Sequence, residues 1–230
     1  MRHIIFNYSL IILGFLFFTI LYHIGLYLIR RKEILSLYFS FIVLCIFLRT
    51  AVTGEKLIVD FMPMPYSIYL SIEYLTFFLV LPIAIKFVDL MFSVNLPKYF
   101  YRIIFTASIA FSIVTLVTET GFYSNLVNIY LPIFLLELFF SYGLVAYAFY
   151  KKKNNALLIL VGYSIMLLCT INDILNTTEV IHTSYLAHYG LISVIFSQSL
   201  FLLLRFVNAF KENEILSADL KRINEDLENR

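Results

Sequence analysis

Residues 185–230 read YLAHYGLISVIFSQSLFLLLRFVNAFKENEILSADLKRINEDLENR, and the fold follows from how this stretch changes solvent without changing register. From Leu186 to Phe206 it is apolar, interrupted strongly only by His188 and Gln198; from Asn208 to Arg230 it is charged. No proline or glycine stands at the junction. Leu202, Phe206, Ala209, Asn213, Leu216, Leu220, Ile223 and Leu227 alternate steps of four and three, the a/d seam of a coiled coil. One helix is therefore expected from about Tyr185 to Arg230, a membrane span that runs directly into a coil. Such a rod must deliver rotation, tilt or sliding at one end as a change at the other. Asn213 falls at an a position, where a polar residue fixes register and favours a dimer at some cost in stability. Only about three heptads are present, which is marginal for an isolated coil.

Composition places the rest of the chain in a bilayer. Its 230 residues are 61% hydrophobic and 14% charged, with mean hydropathy +0.89, which excludes a soluble globule. Apolar runs of about 18–25 residues recur, each long enough to cross a hydrocarbon core of about 30 Å. The expected spans are Ile4–Ile29, Leu35–Val52, Tyr66–Leu90, Ile103–Val117, Leu126–Tyr150, Ala156–Leu175 and the one that begins near Tyr185. These give an all-α membrane protein: a seven-helix bundle over residues 1–206, then a cytoplasmic signalling helix over 207–230. The first span has no small-residue cleavage site and is read as a permanent helix. Pro82 and Pro132 lie inside spans, where each frees a carbonyl that a neighbour must satisfy. Cys45 and Cys169 also fall inside spans and read as apolar fillers rather than a disulfide.

Lysine and arginine set the orientation. Arg30, Arg31, Lys32, Lys98, Arg102, Lys151, Lys152 and Lys153 follow the odd-numbered spans, whereas the opposite connections hold Lys56 and little else. The N-terminus is expected outside and the C-terminal helix in the cytoplasm.

Ionisable groups at membrane depth are costly and mark candidate sites. Counting rise per residue, Arg49, Glu73 and the pair Asn172-Asp173 fall within about 5 Å of one depth near the outer face. They read either as a structural clamp or as the polar floor of a small-molecule pocket. His182 lies in the last outer loop, exposed enough to contact a ligand or an attached domain. Glu137 sits near mid-membrane with Tyr130 and Ser141 on related faces, and should be protonated or paired. A proton relay would need further carboxylates in a chain, and none lies at matching depth. His23 and His188 read as packing residues. The tyrosines at span ends (Tyr66, Tyr69, Tyr99, Tyr101, Tyr123, Tyr185) read as an interface belt.

Catalytic signatures are missing. There is no Gly-rich phosphate loop, nucleophile elbow, His-Glu-x-x-His or paired-cysteine pattern, so neither enzyme activity nor a cofactor or metal is expected. No nucleic-acid partner is expected either. A small-solute or proton-coupled transporter is the alternative, and it would want broken helices and an internal repeat.

The polar landmarks have a further reading. Leu48-Arg49-x-x-x-Thr53-Gly54-Glu55 is followed by Ile72-Glu73-Tyr74-Leu75-Thr76-Phe77 with Pro82 downstream. Ile171-Asn172-Asp173-Ile174-Leu175 then precedes Ile181-His182-Thr183, Gly190-Leu191, Phe196-Ser197-Gln198-Ser199 and Arg205-Phe206-x-x-Ala209-Phe210. From Leu48 onward the chain resembles the bacterial seven-transmembrane receptors with diverse intracellular signalling modules. It departs from them at Asn176, where the family carries an aromatic. The resemblance implies a sensory receptor domain in the bacterial inner membrane. Its partners would be the lipid bilayer, a small-molecule ligand or an extracytoplasmic sensor domain, a cytoplasmic output domain of kinase or cyclic-dinucleotide type, and a second copy through the coil. In this reading Gln198, Arg205, Phe206, Asn213, Leu216, Leu220, Ile223 and Leu227 carry the signal.

Overall fold

In a computed structural model the regular elements among the described residues are α-helices, and seven of these are long and apolar enough to cross a membrane. The structure describes residues 2–53, 64–177, 179–184 and 186–228, with the side chains of 2–9, 177 and 188 left aside. The helices are α1 (Arg2–Ile29), α2 (Ile34–Val52), α3 (Tyr66–Phe92), α4 (Lys98–Val117), α5 (Thr120–Tyr150), α6 (Ala156–Thr177) and α7 (Ala187–Glu228). Gly54, Glu55, Lys56, Pro63, Tyr185 and Arg230 lie outside the described residues, as does the side chain of His188.

Two expected boundaries need correction. α4 starts at Lys98 rather than Ile103, and α5 at Thr120 rather than Leu126. Hydropathy marks only the part of a helix soluble in hydrocarbon, while the hydrogen-bonded ladder continues to the nearest competent start. Pro97 and Glu119 supply those starts as N-cap residues.

The chain divides into two compact units, Met1–Ala156 and Leu157–Arg230. In the first, α3 is the centre: it packs against α2 on one side and against α4 and α5 on others, while α1 covers α2. Phe39 and Val43 of α2 and Phe78, Ile85, Phe87 and Val88 of α3 are fully buried. Phe39 stacks on Phe87 with ring centroids 5.9 Å apart. His23 is buried against Phe39, 4.5 Å between ring centroids, as a packing residue.

Both internal prolines leave their helices unbroken. Pro82 cannot donate to the Phe78 carbonyl one turn earlier. That carbonyl instead lies 3.1 Å from the Tyr130 hydroxyl of α5, so a neighbouring side chain replaces the lost bond. The discontinuous helix that a transport reading wants is absent from α3 and α5.

α3 ends in a tight turn with Ser93 and Asn95 at positive φ. Buried Asp89 holds this turn: its carboxylate accepts from the Leu96 amide at 3.1 Å and from Lys86 Nζ at 2.7 Å.

In the second unit α6 and α7 approach closely because both carry small residues. A Cβ on Gly162 would meet the side chain of Ser197, and one on Gly190 would lie 3.0 Å from Met166 Cα. The Ser193 hydroxyl lies 3.0 Å from the Gly162 carbonyl across this seam and 2.7 Å from the Gly190 carbonyl of its own helix, so its one hydrogen is shared between them. α7 runs 42 residues without interruption, through residues 205–212 and on to Glu228. At 1.5 Å per residue that is a rod of about 60 Å, twice a hydrocarbon core.

Candidate functional site

The landmarks expected to share one depth divide between the two units, and each set has partners in its own. Arg49, near the end of α2, turns toward α3. Its Nη1 donates to the Glu73 carbonyl at 3.1 Å and its Nη2 lies 3.8 Å from Glu73 Oε1. The guanidinium also sits 5.2 Å from the Phe77 ring centroid, within cation–π range. Arg49 therefore grips one turn of α3 by backbone, carboxylate and ring together. The Thr76 hydroxyl lies 2.9 Å from both the Ile72 and the Glu73 carbonyls and shares its one hydrogen between them. This arrangement ties α2 to α3, and with both side chains about one-third exposed its ion pair is a modest contributor.

Asn172 and Asp173 act on α7. The two carboxylate oxygens of Asp173 accept from the Leu186 and Ala187 amides at 2.7 and 2.8 Å. A helix begins with amides that have no intrahelical partner, and it favours negative charge there. Asp173 supplies both needs from a different helix. Asn172 shapes the same connection: its Nδ2 donates to the Ser184 carbonyl and to Asp173 Oδ1, both at 3.0 Å, and its Oδ1 accepts from the Thr183 hydroxyl at 2.8 Å. Asn176, where the family pattern carries an aromatic, accepts from the Thr183 amide at 3.0 Å. The end of α6 thus fastens the beginning of α7, and exposed His182 sits on the loop between them.

Along α7 the expected transmission residues fall into two groups. Gln198 is buried and donates to the Tyr163 hydroxyl of α6 at 3.2 Å. Phe206 makes an edge contact with Phe210, and Arg205 is exposed. Beyond them Asn213, Leu216, Leu220, Ile223 and Leu227 are all exposed, the four apolar ones by 55–65%. Among the described residues of the chain nothing covers this part of the seam.

Three features were not singled out from sequence. Asp89 with Lys86 has no linear signature, because charges near the end of a span are ordinary. Tyr123 was expected in the interface belt but is 2% exposed, its hydroxyl donating to the Ser67 carbonyl at 3.1 Å. Tyr123, Tyr130 and Glu137 are seven residues apart, and that spacing was the available signal that they share one buried face. Tyr123 also walls an open groove of about 500 Å³ among α3, α4 and α5, which Arg49 and Glu73 do not line.

Tyr130 is the hub of the deeper cluster. Its hydroxyl lies 3.1 Å from the Phe78 carbonyl, 3.0 Å from Glu137 Oε2 and 3.1 Å from Ser108 Oγ. A tyrosine has one hydroxyl hydrogen and a backbone carbonyl can only accept. Bonding to both Phe78 and Glu137 therefore requires a proton on Glu137. Tyr130→Phe should orphan a buried carbonyl and cost about 1–3 kcal/mol, whereas Glu137→Gln, which keeps a donor in place, should melt close to the unaltered protein. Thermal unfolding in detergent checks this, and the reverse ranking would remove Tyr130 from the centre of the cluster.

A family profile described as "7TM diverse intracellular signalling" matches residues 6–205. No curated protein and no solved structure matches the chain.

Proposed function

Because the chain belongs to the 7TM diverse intracellular signalling family, whose membrane domains are sensory receptors rather than catalysts, we propose that it relays an extracytoplasmic signal through α7 to a cytoplasmic output module. It is a multi-pass membrane protein; its place is the bacterial inner membrane, with the N-terminus outside. The output module is of kinase or cyclic-dinucleotide type and the working form is a homodimer.

The observation that carries this reading is the continuity of α7. One helix joins a fastened start, capped by Asp173, to an apolar stripe left exposed at the other end. A ligand or attached sensor domain acting on the 177–186 connection, where His182 is exposed, changes how Asn172 and Asp173 hold the first turn. The change travels down the rod to the seam. In the parallel coil, g positions Glu212 and Asp219 face e positions Ser217 and Asn224 of the other copy, and neither of these is an ion pair. Two seam arrangements of similar energy can then be exchanged by a few kcal/mol of differential binding. Arg49 and Glu73 hold α2 and α3 together as the fixed part.

Single cysteines at Leu216, Leu220 or Ile223, in a background without Cys45 and Cys169, should crosslink between copies in membranes. Cysteines at Ala218 or Lys221 should not. Uniform crosslinking at all five positions, or none, would leave the rod without a partner and end the relay reading.

A further inference from the structure

The groove in the first unit lies where the first turns of α3, the last turn of α4 and the first turn of α5 meet. One side is aliphatic, made by Ile68, Ile72, Leu75 and Leu116. The other is a rim of hydroxyls whose hydrogens are mostly spent on the backbone. Ser71 donates to the Ser67 carbonyl at 2.8 Å, Thr115 to Phe111 at 3.0 Å and Thr118 to Val114 at 2.7 Å. The Tyr123 hydroxyl has its hydrogen between the Ser67 carbonyl at 3.1 Å and Thr120 Oγ1 at 3.3 Å, and lies 3.2 Å from Ser71 Oγ. Each hydroxyl has a single hydrogen and two lone pairs. What these four hydroxyls offer a guest is therefore acceptor oxygen, and among the described lining hydroxyls only those of Ser67 and Thr120 keep a hydrogen to give.

Glu119 completes the lining. It is exposed, it is the one lining residue that carries a carboxyl group, and among the described residues that group has no hydrogen bond or ion pair. An acceptor-rich rim with one negative charge repels phosphates and carboxylates. It suits sugars poorly, because they need donors as well. A divalent cation wants six or more oxygens around it, and half of this wall is aliphatic. A primary ammonium has three donors and no acceptor, and its alkyl chain matches the aliphatic side.

We propose that this groove binds a primary alkylammonium, supplied either by a free amine or by the ethanolamine headgroup of a membrane lipid. It gives the receptor a ligand site and rests on the receptor reading only for that consequence. Binding is measured with no output module, so the two ideas fail separately.

The whole chain in phosphatidylcholine nanodiscs is titrated with hexylamine and, separately, with hexanol, following the thermal midpoint by circular dichroism. Hexylamine should raise the midpoint saturably and hexanol should not. Glu119→Gln, at an exposed position that keeps the fold, should weaken hexylamine by about tenfold or more, the worth of one hydrogen bond to a charged group. Leu75→Phe, which fills the groove without changing its charge, should abolish the shift. Phosphatidylethanolamine discs separate the sources: a headgroup ligand raises the midpoint at the outset and leaves hexylamine no effect, while a free amine acts equally in both lipids. Equal shifts with hexanol, an unchanged Glu119→Gln, or no shift with hexylamine in either lipid would overturn the site.

Discussion

Asp173→Ala should free the first turn of α7. The carboxylate accepts from two amides that no intrahelical carbonyl can reach. Hydrogen bonds to a charged group contribute about 1.5–3 kcal/mol each, and loss of a cap costs about 1–2 kcal/mol. Because Asp173 is partly exposed, water takes up some of the loss, and a total of about 3 kcal/mol is expected. Asp173→Asn keeps one acceptor oxygen and turns the other into a donor, so it should fall between. Hydrogen–deuterium exchange over residues 186–192 is the direct readout. Protection should collapse in the alanine variant, fall partway in the asparagine variant, and hold farther along α7 in both. If the relay reading is right, the crosslinks at Leu216 and Leu220 weaken together with that protection. Unchanged exchange in Asp173→Ala would mean that α7 is anchored by something other than α6.

What the sequence revealed and what it hid divide along a physical line. Span number and the unbroken passage of α7 through residues 205–212 are properties of hydropathy and of helix-breaking residues, both of which a linear sequence carries. Which face of each helix is buried is another matter. In a soluble helix a polar stripe marks the outside, but here both the lipid-facing and the protein-facing sides are apolar, and the periodicity that would tell them apart is flattened. That is why Tyr123 reads as an interface residue although it is interior. It is also why the groove it walls, assembled from the ends of three helices, had no linear signature. Arg49, Glu73 and Asp173 stood out as expected because charge in hydrocarbon is rare, yet rarity shows only that a residue has a job. That Asp173 caps a helix thirteen residues downstream, while Arg49 reaches a carbonyl on α3, depends on the turns between spans.

The second large effect lies deeper along the same pair of helices. Gly162 is about 16 Å down α6 from Asp173, so it forms a separate fastening of α7 rather than part of the first. A methyl group there would overlap Ser197, whose Cβ lies 2.8 Å from the ideal Cβ position, and would press on the Ser193 carbonyl at 3.0 Å. Backbone on one side and a short side chain on the other cannot swing away, so the helices must separate. Separation also stretches the bond from the Ser193 hydroxyl to the Gly162 carbonyl. Overpacking of this kind costs about 1–3 kcal/mol for alanine and more for leucine, which should fail to pack at all. Ser197→Gly removes the atoms in the way at a cost of about 1 kcal/mol in helix propensity. The two changes together should therefore melt higher than Gly162→Ala alone, a non-additivity that a double-mutant cycle measures as coupling. Additive losses, or a harmless Gly162→Ala, would show that α6 and α7 are not pressed together at this level. Coupling here joined to exchange collapse at Asp173 would mean that α7 is held at two heights, so that it can turn only if α6 turns with it.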